Sequence, residues 1–448
     1  MIGESKLKKL TELGLSHARK LGADEVEILI SAGEEELTRF ANNTIHQNVS
    51  REDAGITVRF IKDKKIGVAT GNGIDEKIME RVAAMACKLC GLQRKDPSFV
   101  SLPAEAKYEP VADFYDGVKH LGSSLRAQAV VQIITKARSG YLSASGAFCE
   151  STGEFAVGNS HGIWGYQRNK SASLSTIFKG EKGTGFANQC TKGGSEIDVE
   201  KVAKTAFEKA TTGDVVDVPA GEYEVILEPP AVAELLDFFA MYGPNARIYH
   251  EDVSFYQGSL GKKVFDAKLT VFDDPTNKLG YPMAFDYEGA AKHRLTLVDK
   301  GVLTAVAYDS YLAHKYGKEN TGNALPAPNV WGPIPLHLSI APGEVSLPAM
   351  IKGVKRGLLV TRFWYTRIIA HKQLLLTGMT RDGTFLIEDG KIVGRARNLR
   401  YTESVIEAFS KIIAIGNKLS LEGSEGSPSL VPALHLAKFR FTGVTEHG

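Results

Sequence analysis

Residues 224–243 read EVILEPPAVAELLDFFAMYG and predict a strand, a break at two adjacent prolines and a short helix. Four apolar residues of this helix recur at i, i+3, i+4 and i+7, the spacing that forms one buried stripe: Val232, Leu235, Leu236 and Phe239. The opposite side carries Glu234 and Asp237 and has no histidine or cysteine. We therefore predict that this helix packs in the core, and its residue types do not indicate a catalytic role.

The composition is that of an ordinary globular protein. Of the 448 residues, 43% are hydrophobic, and 54 Lys plus Arg stand against 52 Asp plus Glu, a net charge of +2. This balance argues against a surface built to bind nucleic acid or an anionic membrane. No apolar run approaches the roughly 20 residues of a membrane helix, and the N-terminus lacks the apolar segment of a secretory signal. Four cysteines are too few for a disulfide framework, so we expect a cytoplasmic protein.

The order of predicted elements indicates an α+β fold in three units. We expect an N-terminal α+β unit over residues 1–105, a central α+β unit over 112–212 and a larger, mainly antiparallel β domain over 221–448. A length prior of roughly 150 residues per domain agrees with three units. Strands pair locally and helices occur singly, which favours α+β over a doubly wound parallel sheet.

Short-range signals place several turns and one late helix. Hairpin turns are predicted at Asn42–Asn43, Asp63–Lys64 and Asp389–Gly390, where residues that tolerate positive φ separate alternating strands. Residues 402–419, TESVIEAFSKIIAIGNKL, predict a helix that begins at an N-cap, Thr402.

The motifs that would carry chemistry are weak. A zinc-binding helix needs two histidines about one turn apart, whereas the nearest pair of histidines is His435 and His447. Cys87 and Cys90 form a C-x-x-C late in a predicted helix, where small packing residues are the better interpretation. Residues 158–162, GNSHG, match G-x-S-x-G but are flanked by strands on both sides, which predicts a hairpin turn and not a serine nucleophile.

Four stretches, taken in order along the chain, resemble the TldD/PmbA family. They are EDAGITVRFIKDKKIGVAT (52–70), FDYEGAAKHRLTLVDKGVL (285–303), GLLVTRFWYTRII (357–369) and TGMTRDGTFLIEDGKIVGRARNLRYTESVIEAF (377–409). The resemblance implies a two-subunit zinc metallopeptidase, whose TldD-type subunit carries an H-E-x-x-x-H helix after a strand and a cysteine further on as third ligand. The PmbA (TldE) type is the homologous companion that lacks these ligands.

The resemblance also implies where the missing ligands would fall. It places Asp237 at the first histidine, Phe238 at the glutamate, Tyr242 at the second histidine and Ser339 near the cysteine. Phenylalanine cannot activate a zinc-bound water, and serine is a poor zinc ligand beside a thiolate. We therefore expect no catalytic or metal-binding residue and no cofactor in this chain, with the zinc held by a TldD-type partner.

The leading hypothesis is a non-catalytic PmbA/TldE-like subunit that works in proteolysis or peptide maturation. It would pair with a TldD-like catalytic subunit as a heterodimer, or with itself as a homodimer, and would take extended or unfolded peptides along an exposed strand edge. Three consecutive aromatic residues, Phe363, Trp364 and Tyr365, are candidates for lining that groove; packing in the core or at a subunit interface is the alternative.

Two other functions stay open at the level of sequence. One is a self-sufficient metallopeptidase with a metal site built from distant residues, for example His250, His293 and His337. The other is a modulator of DNA gyrase, an older family label, against which the balanced charge and the absence of a basic stripe argue.

Overall fold

The structure, a computed structural model, describes residues 1–104, 106–111, 117–423 and 428–445. Its helices are α1 (Glu4–Lys20), α2 (Glu76–Leu92), α3 (Gly122–Arg138), α4 (Val199–Thr211), α5 (Pro229–Tyr242), α6 (Ala246–His250), α7 (Ser310–Tyr316), α8 (Leu347–Gly353) and α9 (Val405–Phe409). The α+β class predicted from the sequence is confirmed.

The strands form three sheets. They are β1 (Glu25–Ala41), β2 (Thr44–Lys62), β3 (Lys65–Asn72), β4 (Ser143–Asn159), β5 (Trp164–Gly180), β6 (Gly183–Thr191), β7 (Val215–Val216), β8 (Gly221–Leu227), β9 (Val271–Asp273), β10 (Leu295–Asp299), β11 (Val302–Leu303), β12 (Leu338–Ile340), β13 (Arg356–Ala370), β14 (Leu375–Glu388), β15 (Lys391–Ala396), β16 (Leu399–Ser404), β17 (Ile412–Ile415), β18 (Ser420–Glu422), β19 (Ser429–Val431) and β20 (Leu434–Val444).

The first two predicted units contribute to one continuous antiparallel sheet in the order β3-β2-β1-β4-β5-β6. Helices α1 and α2 pack on one half of it and α3 and α4 on the other, each pair over its own apolar cluster. The predicted turns at Asn42–Asn43 and Asp63–Lys64 are confirmed, and all four residues have φ between 49° and 62°. The turn at Asn159–Gly162 that we expected in place of a nucleophile joins β4 to β5.

The division into three units stays a prediction. Residues 105 and 112, where we expected the first unit to end and the second to begin, lie outside the described residues, as do the last residues of the third unit.

The C-terminal part is built on a closed ring of strands. Strand β8 pairs with β13 and β20, β20 with β16, β16 with β14, and β14 with β13, which closes the ring. A second sheet, in the order β11-β10-β9-β12-β19-β18, lies in the same domain. The predicted strand, break and helix at residues 224–243 correspond to β8 and α5, and the apolar stripe of α5 is buried in the largest cluster of the protein. The predicted turn at Asp389–Gly390 joins β14 to β15.

The helix predicted over residues 402–419 is wrong in most of its length. Thr402 belongs to β16, the N-cap is Ser404, and α9 ends at Phe409. Residues 412–415 then form β17, in which Ile412 faces Leu436 and Ile415 faces Leu434 of β20. Pairing with a distant strand overrides the local helical pattern, because it buries both isoleucines in the C-terminal core.

Candidate functional site

A cavity of about 870 Å³ is a groove whose lining residues come from β6 and from the C-terminal part of the chain. Helix α5 forms one wall, and the outer half of β13, which packs against α5, forms the neighbouring wall. Phe186 and Asn188 of β6, the segment 334–338 before and into β12, and Glu422 close its remaining sides. The groove is therefore assembled from segments more than two hundred residues apart in the sequence.

The outer half of β13 presents a free strand edge to this groove. Residues 357–360 pair with β8 on one side and with β14 on the other. Beyond Val360 the partner β8 has ended at Leu227, and the chain has turned into α5. Within residues 362–367 the only strand pairing in the described part of the chain is with β14, and the register shift leaves Tyr365 and Thr366 outside it. A free edge carries unpaired backbone N–H and C=O groups and can accept a further strand.

A bulge in β13 turns two aromatic side chains into the groove. The register with β14 shifts between Trp364 and Arg367, and Tyr365 has φ of 58°. Positive φ is strained for a bulky residue, and such strain is found preferentially at functional sites. Trp364 is 40% exposed and Tyr365 63% exposed, and both line the cavity.

The third aromatic residue of the predicted cluster has a different role. Phe363 is 2% exposed, and its ring centroid lies 4.6 Å from that of Tyr401 and 5.5 Å from that of Phe439. Phe363 also lines the groove, but it packs mainly in the core, whereas the side chains of its two neighbours are exposed there. The alternation of side chains along a strand accounts for the difference between Phe363 and Trp364.

Arginine side chains hold the two exposed rings. The guanidinium carbons of Arg362 and Arg381 lie 5.3 Å and 5.1 Å from the ring centroid of Trp364, and that of Arg367 lies 5.2 Å from Tyr365. Arg362 is in turn ion-paired with Asp382. These cation–π contacts favour a fixed orientation of the rings against the groove wall.

Helix α5 presents Asp237 and Phe238 to the groove. Burial raises the pKa of Asp237 to about 7, and the nearby carboxylate of Glu234 adds to the rise. Glu234 accepts a hydrogen bond from the Thr366 hydroxyl of β13, which ties the two walls together. Tyr242 stacks on Phe238 with ring centroids 6.2 Å apart and does not line the cavity.

Ser339, the fourth position that the family resemblance implies, does not line the groove. Ser339 lies in β12, is 6% exposed and lines a smaller cavity of about 30 Å³ together with His337. Leu338, the residue before it, lines both this cavity and the groove.

The residues at the four positions do not fit a zinc ion. Phe238 and Tyr242 form an aromatic stack, and Ser339 does not share the groove with Asp237. Tetrahedral zinc sites use cysteine, histidine and carboxylate ligands. Of these four residues only Asp237 is a common zinc ligand, so the set does not supply the ligands of a tetrahedral zinc site.

A second group of residues of metal-binding type lies elsewhere among the described residues. Ligand atoms of Glu36, His120 and Glu150 lie within 4.8 Å of one another. Arg126 Nη1, however, lies 2.7 Å from Glu36 Oε2 and 3.2 Å from Glu150 Oε2, so a buried guanidinium already occupies the position of a cation. This cluster is an ion-pair network that joins β1 to α3 and β4, and none of its residues lines the groove.

The three histidines of the alternative metal site are not brought together. His250 stacks on Tyr316 at 3.4 Å between ring centroids, and its Nε2 lies 2.9 Å from the Tyr308 hydroxyl. His337 Nδ1 lies 3.6 Å from Asp273 Oδ1, and His293 is exposed. Within the part of the chain that the structure describes, no group of metal ligands contains any of these three.

Sequence reasoning missed several residues of the groove, above all Glu234, Arg362 and Arg367 as wall residues and Phe186 from the central unit. The position of Glu234 one turn before Asp237 was a usable signal, because residues i and i+3 share a helix face. Phe186 had no such signal.

The fold and the groove define a class of α+β protein in which a helix lies beside a strand edge that has no strand partner among the described residues. The residues of this helix do not supply the ligands of a zinc site. Residues 220–438 match the PmbA/TldA metallopeptidase C-terminal domain, and residues 26–90 match PmbA/TldA metallopeptidase domain 1. The chain belongs to the PmbA/TldD family.

Individual relatives agree with this assignment. An uncharacterized protein of Methanocaldococcus jannaschii is 26% identical over 397 residues, which cover 84% of this chain and 88% of that protein. A metalloprotease of Methanothermobacter thermautotrophicus is 24% identical over 238 residues, 51% of each chain. The structure of TldE from Thermococcus kodakarensis superposes with a TM-score of 0.89 at 24% identity, covering 98% of this chain and all of the other, and shows the same fold. No helix in the described parts of the chain is long and apolar enough to cross a membrane.

Proposed function

We propose that this chain is the non-catalytic, TldE-like subunit of a TldD-type zinc metallopeptidase complex that works in proteolysis or peptide maturation. The observation that supports this most is the chemistry of α5, which carries Asp237, Phe238 and Tyr242 at the positions where the family resemblance implies metal-binding residues and which presents the first two to the groove. A groove in a peptidase-family protein whose wall residues cannot hold zinc is what we expect of a subunit that binds substrate but does not catalyse cleavage.

The groove would take extended or unfolded peptides. The free edge of β13 at residues 362–367 supplies backbone donors and acceptors, which bind any peptide main chain without regard to its side chains. Trp364 and Tyr365 add apolar area beside this edge. The strain at Tyr365 is compatible with a role in positioning these rings.

The catalytic zinc would be held by a TldD-like partner that carries the H-E-x-x-x-H helix. A heterodimer with such a partner is the proposed assembly, and a homodimer is the alternative arrangement. The proposed location is the cytoplasm, in agreement with the small number of cysteines.

The test combines metal analysis with peptide cleavage. The purified chain is dialysed without chelator, its zinc content is measured, and cleavage of an unstructured peptide is assayed with and without an H-E-x-x-x-H-bearing family member. We expect almost no zinc and no cleavage by the chain alone, and cleavage when the partner is added. About one zinc per chain, with cleavage abolished by Asp237→Ala, would instead establish a self-sufficient enzyme.

Modulation of DNA gyrase gains no specific support from the described residues. Salt-sensitive retention of the chain on a DNA column would be needed to revive that function.

A further inference from the structure

A second cavity, of about 360 Å³, lies where the turn between β5 and β6 meets the C-terminal strands β14 and β15. It is separate from the groove, because the two share no lining residue. Four cationic side chains line it: Lys179, Lys182, Arg395 and Arg397. Glu181 is the single carboxylate among its described lining residues.

The inner wall of this cavity includes Arg395, which is 5% exposed. Its Nη2 donates to the carbonyl oxygens of Lys209 at 2.5 Å and Thr212 at 3.3 Å, and its Nη1 donates to that of Thr184 at 3.2 Å. Its Nε has no hydrogen-bond partner within the described ranges of the chain. The guanidinium thus caps the end of α4 and retains one buried donor. Burial lowers the pKa of Arg395, as expected for a cation without a counter-anion.

Thr384 is a second buried polar group without a partner on the same wall. The residue is 2% exposed and lines the cavity, and its Oγ1 makes no hydrogen bond with any described residue. A buried donor left unpaired costs free energy that a ligand recovers when it supplies an acceptor. The two residues that carry such groups, Arg395 and Thr384, both line this one cationic cavity.

The rim of the cavity keeps a surplus of positive charge. Lys182 is ion-paired with Asp214. Lys179 and Arg397 are exposed, and neither takes part in an ion pair among the described residues. A cavity with unpaired cations at its rim and an arginine in its wall concentrates anions.

The backbone approaches closely at the same place. Gly183 has φ of 149°, and a Cβ built there would lie 2.1 Å from Arg395 Nη1. Gly383 has φ of 142°, and a Cβ there would lie 2.4 Å from Thr361 Oγ1. Gly183 therefore lets the β5–β6 turn approach the Arg395 guanidinium closely, and Gly383 lets β14 approach Thr361.

We propose that this cavity binds an oxyanion, the phosphate or carboxylate group of a small ligand, between Arg395, Thr384, Lys179 and Arg397. Arginine and hydroxyl donors in a partly dry site form the charge-assisted hydrogen bonds that such groups prefer. The site is independent of the peptide groove, so it stands whether or not the proposed subunit function is correct.

Thr384→Val separates this role from a purely structural one. The Thr384 hydroxyl has no hydrogen-bond partner among the residues that the structure describes, so we expect its removal to leave the melting temperature unchanged or to raise it. An oxyanion that accepts from this hydroxyl binds several times more weakly, by about fivefold to tenfold. Thr380→Val is the matched control, because the Thr380 hydroxyl accepts a hydrogen bond from Leu399 N at 2.9 Å. That variant loses stability and keeps the ligand affinity.

The experiment titrates the full chain with inorganic phosphate and, separately, with acetate by calorimetry at constant ionic strength. We expect one saturable site. Lys179→Gln and Arg397→Gln, each made singly, should raise Kd about tenfold. Lys77→Gln, which changes an exposed lysine of α2, should leave Kd unchanged. Saturation by phosphate alone assigns a phosphoryl ligand, and saturation by acetate alone assigns a carboxylate. Failure of both anions to saturate, or affinities that are equal in the wild type, Thr384→Val and Arg397→Gln, would overturn the proposal.

Discussion

Arg59 Nη1 lies 3.2 Å from Glu288 Oε1, and Arg59 Nη2 lies 3.2 Å from Glu27 Oε1, so one guanidinium of β2 joins the first sheet to the C-terminal domain. Glu27, Asp286, Glu288 and Asp309 are all less than 10% exposed around it. Glu27 and Glu288 therefore share one arginine as their cation at the junction.

Arg59→Gln should destabilise the protein strongly. It leaves the buried carboxylates of Glu27 and Glu288 without their cation, and breaking a buried ion pair on one side costs about 3–5 kcal/mol. Arg51→Gln is the control, since the Arg51–Asp53 pair is exposed and such pairs contribute about 0–1 kcal/mol. Urea unfolding of the two variants measures both values; equal stabilities would show that the junction does not depend on Arg59.

Stability should fall as the pH rises from about 4.5 to about 7. Burial raises the pKa of Glu27 from 4.5 to about 7 even though Arg59 acts to lower it, and burial also raises the pKa of Asp286 to about 7. A carboxyl whose folded-state pKa is raised stabilises the fold below its unfolded-state pKa, and this contribution is lost as the pH passes through the folded-state value. Melting temperatures across this range should show the decrease, with a smaller slope in Glu27→Gln. A wild-type melting temperature that rises steadily to pH 8 would contradict the assignment.

Leu236→Ala should be among the costly changes in α5. Leu236 is fully buried in the C-terminal core, and deletion of a buried leucine side chain costs about 2–5 kcal/mol. Leu279→Ala is the matched control, because Leu279 is 61% exposed and surface changes stay within about 0.5 kcal/mol. Chemical denaturation compares the two; a small effect at Leu236 would place the stripe of α5 outside the core.

The backbone at Tyr365 gives a prediction that distinguishes strain from packing. Its φ of 58° suits glycine, so Tyr365→Gly should stay within about 1 kcal/mol of the wild type, whereas Tyr365→Val should lose about 1–3 kcal/mol because a β-branched residue resists this conformation. Both variants should bind an extended peptide more weakly than the wild type if the groove takes peptides, as fluorescence anisotropy of a labelled peptide would show. A stable Tyr365→Val protein would argue against the bulge.

Local chemistry accounts for the parts of the fold that the sequence predicted correctly. The turns at Asn42–Asn43 and Asp63–Lys64 depend on residues that tolerate positive φ, and α5 depends on a 3.6-residue apolar period. The helix predicted at 402–419 failed because β17 gains more by pairing with β20, a partner that local periodicity cannot reveal.

Some features of the candidate site follow from the sequence alone, and others follow only from the tertiary structure. The sequence by itself determined that α5 lacks histidine and cysteine, since residue identity fixes which atoms can bind a metal. Only the tertiary structure decided that Phe363 is buried while Trp364 and Tyr365 face a groove, because that depends on a bulge against β14 and on where β8 ends. The second cavity likewise exists only because the β5–β6 turn meets Arg395 across more than two hundred residues of chain. Burial and pairing between distant segments are properties of the assembled chain, and no local pattern encodes them.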